Sequence, residues 1–381
     1  MPAVSITGCT EYKPSTVYES TVAVLAPLGG LGAFVKPGQT VLLKPNLLSP
    51  SAPDEAVVTH PYLVGAVARL VKDCGARAII ADSPGGPFSR FLLGRTYRKA
   101  GLESVAQDTG SSLNFNTEVI ERSNPDGRLI KRFELIKATA EADVIINLPK
   151  LKTHAFMRLT GAAKNVFGLV PGVVKAGYHA KLVTPDRFAG MLLDLTLLVK
   201  PSLTVMDAVV GMEGDGPAAG SPKYIGLLLA SPDCISLDAA MAAITSFRRD
   251  EIPILLAAFE RGIEGADISQ VEILGKPLES VRMKSFKPPR TGDPLAFSRM
   301  PAPVRHFISN SLIVPTEVRK ADCTGCGDCH RMCPVDAITM KDKKATIDKG
   351  MCIRCYCCHE ICPTKCIDLK PNLLSRLLMR R

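Results

Sequence analysis

Short, largely apolar runs separated by helical stretches set the pattern of the chain before residue 284. The runs at residues 41–43, 78–80, 144–146 and 203–206 suit strands that are buried on both faces of a parallel sheet. Helices are predicted between them at residues 61–72 and 186–199. Two polar stretches within residues 113–133 flank an Asn-Pro-Asp-Gly turn and predict a surface hairpin. This pattern predicts an α/β fold, with a mostly parallel sheet and flanking helices.

Eight of the 13 cysteines form a pattern that occurs twice between residues 323 and 362. Each copy has the spacing C-x2-C-x2-C-x3-C-P, which is typical of bacterial ferredoxins with two [4Fe–4S] clusters. In such proteins the fourth cysteine of each copy binds the cluster of the other copy. Zinc is an alternative for such sets, but the Cys-Pro ending and the duplication favour clusters. The predicted ligands are Cys323, Cys326, Cys329 and Cys362 for the first cluster, and Cys352, Cys355, Cys358 and Cys333 for the second.

Two other cysteines lie within this region. Cys366 occupies the repeat position of Ala337, and we interpret it as a small buried residue. Cys357 adjoins the predicted ligand Cys358. It either fills the loop or replaces a lost ligand, and the sequence leaves both roles open.

The composition changes at residue 284, where proline and basic residues become frequent. The tail that ends the chain has leucines at helical spacing beside arginines, which predicts a short helix packed on the protein or a partner. A helix lying on a membrane surface is the alternative. The predicted segments are an α/β domain at 1–283, a Pro-rich basic linker at 284–315, a small α+β two-cluster ferredoxin-like domain at 316–370 and a basic amphipathic tail at 371–381.

The formal net charge of +10 comes from scattered basic residues, without a recognised nucleic-acid-binding motif. We therefore expect acidic redox partner proteins and anionic ligands, and no nucleic acid. The longest apolar stretches are shorter than the roughly 18 residues that span a bilayer, so no transmembrane segment is predicted. Cysteines with metal-site spacing indicate a reducing compartment, and the N-terminus lacks the pattern of a signal peptide. These features together predict a cytoplasmic protein.

Five short motifs in the α/β part carry a resemblance to a known family. They are Lys44-Pro45-Asn46, Asp82-Ser83-Pro84, NLPKLKTH at residues 147–154, GAAKN at residues 161–165 and GMEGDGP at residues 211–217. With these motifs and its cysteines, the chain resembles the ferredoxin-linked members of the family defined by the domain of unknown function numbered 362. The resemblance covers essentially the whole chain. It implies an iron–sulfur protein and names no reaction.

Several motif residues fall near the carboxyl ends of predicted strands, among them Asn46, Asp82, Lys150 and Asp207. In an open parallel sheet that edge is where ligands bind. Positive charge is concentrated between residues 150 and 164, and Thr160 with Gly161 is predicted to cap a helix whose free N–H groups favour an anion. The ligand is therefore expected to be a carboxylate, a phosphate or the anionic tail of a cofactor.

The candidate residues follow from this expectation. His154 and Lys152 are the predicted catalytic residues. A solvated basic loop, capped turns and a plain glycine turn are the simpler alternatives. An acidic set at the same edge, Asp207, Glu213 and Asp215, suggests a hard cation, and His60 and His179 are further imidazole candidates, although neither spacing is diagnostic. The predicted ligand-binding residues are Lys44, Asn46, Asp82, Lys150, Lys152, Lys164, Asn165, Gly214 and Gly216.

Three functions fit the sequence. The leading hypothesis is a redox protein that passes single electrons through its clusters between a partner protein and an anionic ligand at the sheet edge, which would make it an iron–sulfur oxidoreductase. The second is a non-catalytic electron carrier or adaptor, in which the α/β domain docks to a larger redox complex. The third is a reductive activator or maturation factor.

Overall fold

The computed structural model describes residues 1–291 and 314–371. Strands and helices alternate along the α/β part. Its strands are β1 (Ala3–Gly8), β2 (Thr40–Pro45), β3 (Arg77–Ile80), β4 (Ser112–Leu113), β5 (Val119–Ser123), β6 (Arg132–Ile136), β7 (Val144–Leu148), β8 (Lys150–His154), β9 (Arg158–Thr160), β10 (Leu203–Glu213), β11 (Ser221–Ser231) and β12 (Glu272–Gly275). Its helices are α1 (Pro14–Leu25), α2 (Pro61–Asp73), α3 (Arg90–Lys99), α4 (Leu102–Thr109), α5 (Ala138–Glu141), α6 (Ala162–Val166), α7 (Gly172–Lys181), α8 (Pro185–Val199), α9 (Cys234–Ile244), α10 (Pro253–Glu260) and α11 (Leu278–Val281).

The central sheet has the strand order β12-β1-β11-β10-β7-β2-β3-β4, with β8 paired to β10 and β9 paired to β8. The half from β10 to β4 is parallel. At the other side, β11 runs antiparallel to both β1 and β10. The predicted α/β fold class is confirmed.

Helices cover both faces of this sheet, because the strand residues alternate between two hydrophobic cores. In β2, Val41 and Leu43 face the core that contains residues of α1 to α4. Leu42 faces the core that contains residues of α6, α8, α9 and α10. All three are fully buried, and burial of one such side chain contributes about 1.5–3 kcal/mol relative to exposure.

The four apolar runs of the sequence all lie in strands of the sheet, β2, β3, β7 and β10. The expected hairpin forms from β5 and β6, with Val119 opposite Ile136. One expectation was wrong in extent: β10 does not end near Met206 but continues to Glu213, because β11 pairs with it along that length. Asp207 therefore lies inside a long strand rather than at its end.

The cysteine-rich part forms a small module with two similar halves. In each half a histidine follows the third cysteine of the motif, and its Nδ1 lies 2.6 Å from a backbone oxygen: His330 with Ile338, and His359 with Ile367. The predicted internal repeat is thus a structural repeat. Its elements are β13 (Thr316–Val318), α12 (Asp328–Arg331), β14 (Ile338–Lys341), β15 (Lys344–Ile347), α13 (Cys357–Ile361) and β16 (Ile367–Leu369).

This module packs against the carboxyl edge of the parallel strands. Lys365 Nζ lies 3.0 Å from a carboxylate oxygen of Glu55, and His359 Nε2 lies 3.2 Å from the backbone oxygen of Asp215. Most of the predicted linker, and the predicted tail after residue 371, lie outside the described residues. Within the described ranges, no helix is long and apolar enough to cross a membrane.

Candidate functional site

A cavity of about 100 Å³ lies between the carboxyl edge of the sheet and helix α13 of the module. Both parts of the protein form its wall, which combines lysines, carboxylates and apolar side chains. From the α/β part it is lined by Lys44, Asn46, Leu47, Leu48, Asp82, Ser83, Gly85, Lys164, Asn165, Phe167, Gly168, Gly172, Lys175, Ala176 and His179. From the module it is lined by Met332, Cys357, Glu360 and Ile361.

The sheet itself positions the first charged pair of this cavity. Lys44 lies near the carboxyl end of strand β2 and Asp82 follows strand β3, and the parallel pairing of these strands brings the two side chains together. The ammonium of Lys44 lies 2.8 Å from the Asp82 carboxylate, and both side chains are buried. The other carboxylate oxygen of Asp82 accepts a hydrogen bond from the Leu47 N–H at 2.7 Å. This pair is therefore held as a fixed part of the wall.

Lys164 and Lys175 add two further cations. Lys164 is half-buried and has neither an ion pair nor a hydrogen bond to the described residues. Lys175 donates a hydrogen bond to the backbone oxygen of Ser83. Burial lowers the pKa of both lysines, that of Lys175 to about 7. An anion in the cavity would favour the charged form of both side chains.

Two buried polar atoms of the cavity residues have no hydrogen-bond partner within the described structure. They are Ser83 Oγ and His179 Nδ1. A buried polar group without a partner costs free energy, so such groups collected around one cavity suggest a polar occupant.

His154 lies behind Glu360 and connects the two parts of the protein. Its Nδ1 accepts hydrogen bonds from the N–H groups of Phe156 and Met157, so the ring proton is on Nε2. Nε2 lies 3.1 Å from Glu360 Oε1. Burial and the nearby Lys164 lower the pKa of His154 to about 4, so the imidazole is neutral. Burial alone would raise the pKa of Glu360, but His154 and Lys164 lower it, so the carboxylate is ionised.

Lys150 and Lys152 are not on a solvated loop, because both side chains are fully buried on strand β8. Lys150 Nζ lies 2.9 Å from an Asp207 oxygen and 2.8 Å from the Tyr12 hydroxyl. Lys152 Nζ donates to Asn46 Oδ1 and to the Val57 backbone oxygen, both at 2.7 Å. With Lys164 they line a second, smaller space of about 30 Å³ beside the main cavity.

The structure separates some candidates from the cavity. The N-terminus of α6 is capped by a carboxylate of the same chain. Asp238 accepts hydrogen bonds from the N–H groups of Ala162 and Ala163 at 2.6 and 3.0 Å. The expectation that this helix end binds an external anion was therefore wrong.

Gly216 approaches its own chain instead of a ligand, since a Cβ there would lie 2.1 Å from the Thr153 backbone oxygen. Gly214 donates its N–H to the Lys287 oxygen at 2.8 Å.

The acidic residues of the same edge do not gather around a common point. Asp207 is paired with Lys150, Glu213 accepts from the Lys287 N–H at 3.0 Å, and Asp215 pairs with Arg290. His60 stacks on Tyr12, with ring centroids 3.7 Å apart. Within the described residues, no three His, Cys, Asp or Glu side chains are placed to bind a single metal ion.

The cysteines of the first predicted set lie together in the module. Cys323, Cys326, Cys329 and Cys362 line one small cavity, so the fourth cysteine of the second copy lies with the first three of the other. In the second set, burial raises the pKa of Cys352 and Cys358, and so do the neighbouring charges of Cys355 and Cys333. Thiolates crowded in this way suit a positively charged metal core, which holds coordinating thiols deprotonated.

Two backbone N–H groups point at the crossing cysteines. The Ala337 N–H donates to Cys333 Sγ at 3.2 Å, and the Cys366 N–H donates to Cys362 Sγ at 3.4 Å. Such N–H···S bonds are among the factors that set the potential of an iron–sulfur cluster. The cysteine placement therefore fits [4Fe–4S] clusters. Cys366 is buried, and Cys357 lies in the wall of the main cavity.

Sequence reasoning missed Lys175, Glu360 and the contribution of Cys357 to the cavity. Glu360 has a signal in the repeat: it occupies the position of Arg331 in the first half, so the two halves differ in the sign of charge there. Lys175 has no such signal, because its place at the cavity depends on how α7 folds back over the sheet edge.

His179 is expected to make the stability depend on pH. Its imidazole stacks on Phe188, and burial lowers its pKa to about 3. The unfolded chain then binds a proton that the folded chain does not, so the wild type loses stability as the pH falls from about 6.5 towards 3. Between pH 7.5 and pH 5, the stability advantage of the wild type over a His179→Gln variant should shrink by about 2 kcal/mol. Anaerobic denaturant titrations measure this difference, and a constant difference would contradict the neutral buried imidazole.

The fold and the cysteine sets define an α/β protein with a C-terminal iron–sulfur module. The domain of unknown function DUF362 matches residues 41–243, and a 4Fe-4S dicluster domain matches residues 322–366. The chain belongs to the DUF362 family, as its resemblance indicated, and its 4Fe-4S domain supports a role in electron transfer.

Two individual proteins are similar to this chain. The thylakoid-associated protein sll1697 of Synechocystis sp. is 34% identical over 300 residues, covering 77% of this chain and 90% of that protein. Among solved structures, the lactate racemase apoprotein from Thermoanaerobacterium thermosaccharolyticum is similar with a TM-score of 0.41 and 11% identity. That match covers 65% of this chain and 58% of the racemase chain.

Proposed function

We propose that this protein is an iron–sulfur oxidoreductase that passes single electrons through two [4Fe–4S] clusters to or from a small anionic ligand. The ligand occupies the cavity between the sheet edge and helix α13. The bound clusters supply or accept the electrons one at a time. The α/β part binds the ligand and exchanges protons with it.

The observation that carries this proposal is the shared wall of the cavity. Helix α13 presents Cys357, Glu360 and Ile361 to the cavity, while Cys358 of the same helix belongs to the second cysteine set. A ligand in the cavity therefore lies beside the loop that would bind the second cluster. A domain that served only for docking would not require a polar cavity at this position.

The charges of the wall favour an anion. Three lysines, Lys44, Lys164 and Lys175, face the carboxylates of Asp82 and Glu360. Lys44 is already paired with Asp82, so Lys164 and Lys175 remain for a ligand, and of these two only Lys164 lacks a hydrogen bond to the described residues. The volume of about 100 Å³ limits the occupant to a small molecule or to the anionic end of a larger one.

Reduction of a bound anion consumes protons, and Lys175 can provide one. Lys175, with a pKa lowered to about 7, exchanges its proton readily near neutral pH. Glu360 accepts a hydrogen bond from the ligand. His154 keeps Glu360 in place through Nε2, and Lys152 keeps Asn46 in place. We therefore assign His154 and Lys152 as positioning residues that act through Glu360 and Asn46.

Replacement of Lys164 by glutamine is expected to weaken anion binding about 10- to 150-fold, because a hydrogen bond to a charged group contributes roughly 1.5–3 kcal/mol. Acetate and inorganic phosphate are the probes, and equilibrium binding to the anaerobically loaded protein is the measurement. The iron content should stay unchanged.

The matched control is Lys341→Gln, which removes an exposed lysine of the module. Equal affinity of wild type, Lys164→Gln and Lys341→Gln would contradict the anion site. Protein that holds only iron and sulfide after anaerobic purification, and that transfers electrons equally well with Lys164→Gln, would instead be an electron carrier or adaptor. A retained metal or phosphate cofactor, seen by native mass spectrometry, would favour a reductive activator or maturation factor.

The cellular location is also part of the proposal. The sequence predicts the cytoplasm, whereas the relative from Synechocystis sp. is described as thylakoid-associated. We retain the cytoplasmic location, and recovery of the protein with washed membranes after cell fractionation would overturn it.

A further inference from the structure

The two cysteine sets face different surroundings. Cys358 of the second set is buried on α13, whose other side lines the cavity. In the first set Cys326 is exposed. Cys326 and Cys362 of this set line an open groove of about 510 Å³, whose opposite wall is formed by helix α3 and the loops before it. An electron that reaches the cavity from outside therefore has its natural point of entry at the first set.

Helix α3 presents a stripe of three side chains to this groove. Phe91, Arg95 and Lys99 are spaced four residues apart, which places them on one face of the helix. Phe91 is 74% exposed, an unusual position for a large aromatic ring. The Arg95 guanidinium lies 5.7 Å from the ring centroid and packs against it. The stripe thus combines an apolar contact with positive charge.

The charge of the groove is positive. Arg331 pairs with Asp328, and Lys365 pairs with Glu55. Lys99 also acts on the Glu55 carboxylate, whose pKa it helps to lower. Four basic and two acidic side chains line the groove, so its net charge is positive. An anionic surface with a small apolar area would be complementary to this groove.

We propose that this groove is the docking site of a small, acidic, one-electron carrier protein. The proposal rests on the proposed function, for which it names the class of partner. The carboxylates of the carrier face Arg95 and Lys99, and an apolar residue near its redox centre covers Phe91. Cys323, Cys326, Cys329 and Cys362 would hold the cluster that accepts one electron from the reduced centre of the carrier. No bond forms or breaks, and no proton moves. Transient redox complexes have small interfaces, which suits a groove of this size.

The probe for the test is a small acidic [2Fe–2S] ferredoxin, titrated anaerobically against the loaded full-length protein. Its dissociation constant is measured by calorimetry at low and high salt, and the rate of electron transfer is measured by stopped flow. We expect binding that weakens with salt. The double charge reversal Arg95→Glu/Lys99→Glu should raise the dissociation constant at least about tenfold and remove most of the salt dependence. Phe91→Ala should weaken binding while the salt dependence stays.

The matched control is Arg122→Glu/Lys72→Glu, which makes the same change in net charge at exposed positions outside the groove. Equal loss of affinity in both double variants would show attraction by net charge alone and would overturn the proposal. Absence of salt-dependent binding by the wild type would overturn it as well. Anion binding in the cavity should be the same in the wild type and the groove variants, so failure of the docking site and failure of the proposed function are distinguishable.

Discussion

Replacement of Cys333 by alanine is expected to remove the cluster whose other ligands are Cys352, Cys355 and Cys358, although Cys333 lies in the first copy of the motif. The wild type should contain about eight iron and eight sulfide per chain, and the variant about half of each. The reason is that Cys333 lies near the second cysteine set, where its charge raises the pKa of Cys352 and Cys358. Iron and sulfide analysis after anaerobic reconstitution measures the content, and spectroscopy identifies the surviving cluster.

The control for this experiment is Cys366→Ala. Cys366 is buried beside the first set, and its equivalent in the other half is Ala337, so the substitution copies a residue that the repeat already tolerates. This variant should keep both clusters. Loss of the cluster built on Cys323 in the Cys333→Ala protein, or a wild type that never exceeds four iron, would contradict the two crossed ligand sets.

Replacement of Lys150 by methionine should lower the free energy of unfolding by about 3–5 kcal/mol, because it leaves the Asp207 carboxylate buried without its cation. Both side chains of the pair are fully buried, and the Asp207 carboxylate also accepts hydrogen bonds from the Tyr12 hydroxyl and the His60 N–H. Burial lowers the pKa of Lys150, but Asp207 opposes that shift. Anaerobic denaturant titration provides the measurement.

The double variant Lys150→Met/Asp207→Leu tests whether the loss comes from the unpaired charge. Removal of both charges should restore much of the stability, because an apolar pair of similar volume can replace a buried ion pair. If Lys150→Met instead left stability unchanged and abolished anion binding, Lys150 would be a ligand-binding residue, as the sequence predicted, and not a structural one.

The sequence predicted the sheet well where strands are short, apolar and parallel. The runs in β2 and β7 are buried on both faces, so their composition alone identifies them. The position of Lys44 and Asp82 near carboxyl ends then follows from the topology of parallel sheets. The spacing of the cysteines also predicts the ligand sets of the module, which the Cys333→Ala experiment tests.

What the sequence did not predict depends on contacts between distant residues. Lys150 and Asp207 are 57 residues apart, and only the fold shows that they form a pair instead of an open anion site. Asp238, which occupies the N-terminus of α6, is 75 residues from Ala163. The length of β10 was likewise decided by its antiparallel partner β11. Local pattern contains no information on any of these partners.

The cavity illustrates the same limit for function. The sequence placed a ligand site at the sheet edge but assigned the module only to electron transfer. Glu360, which contacts His154 from the module, belongs to both. Neither domain considered alone would have suggested that the cluster module provides part of the wall.

The two halves of the module carry opposite charges at one repeat position, Arg331 in the first half and Glu360 in the second, so only one orientation of the module suits the α/β part. The Arg331 side chain is 56% exposed at the groove, whereas that of Glu360 is 12% exposed beside His154. A module turned by its own pseudo-symmetry would bind iron equally well, yet it would place a guanidinium next to Lys164 and a carboxylate beside Arg95. Two positive charges would then lie side by side in the interior, and the groove would lose its net positive charge. The second half of the module therefore faces the cavity and the first half faces the groove. An unrelated two-cluster ferredoxin fused to the same α/β domain would not reproduce this placement of charge.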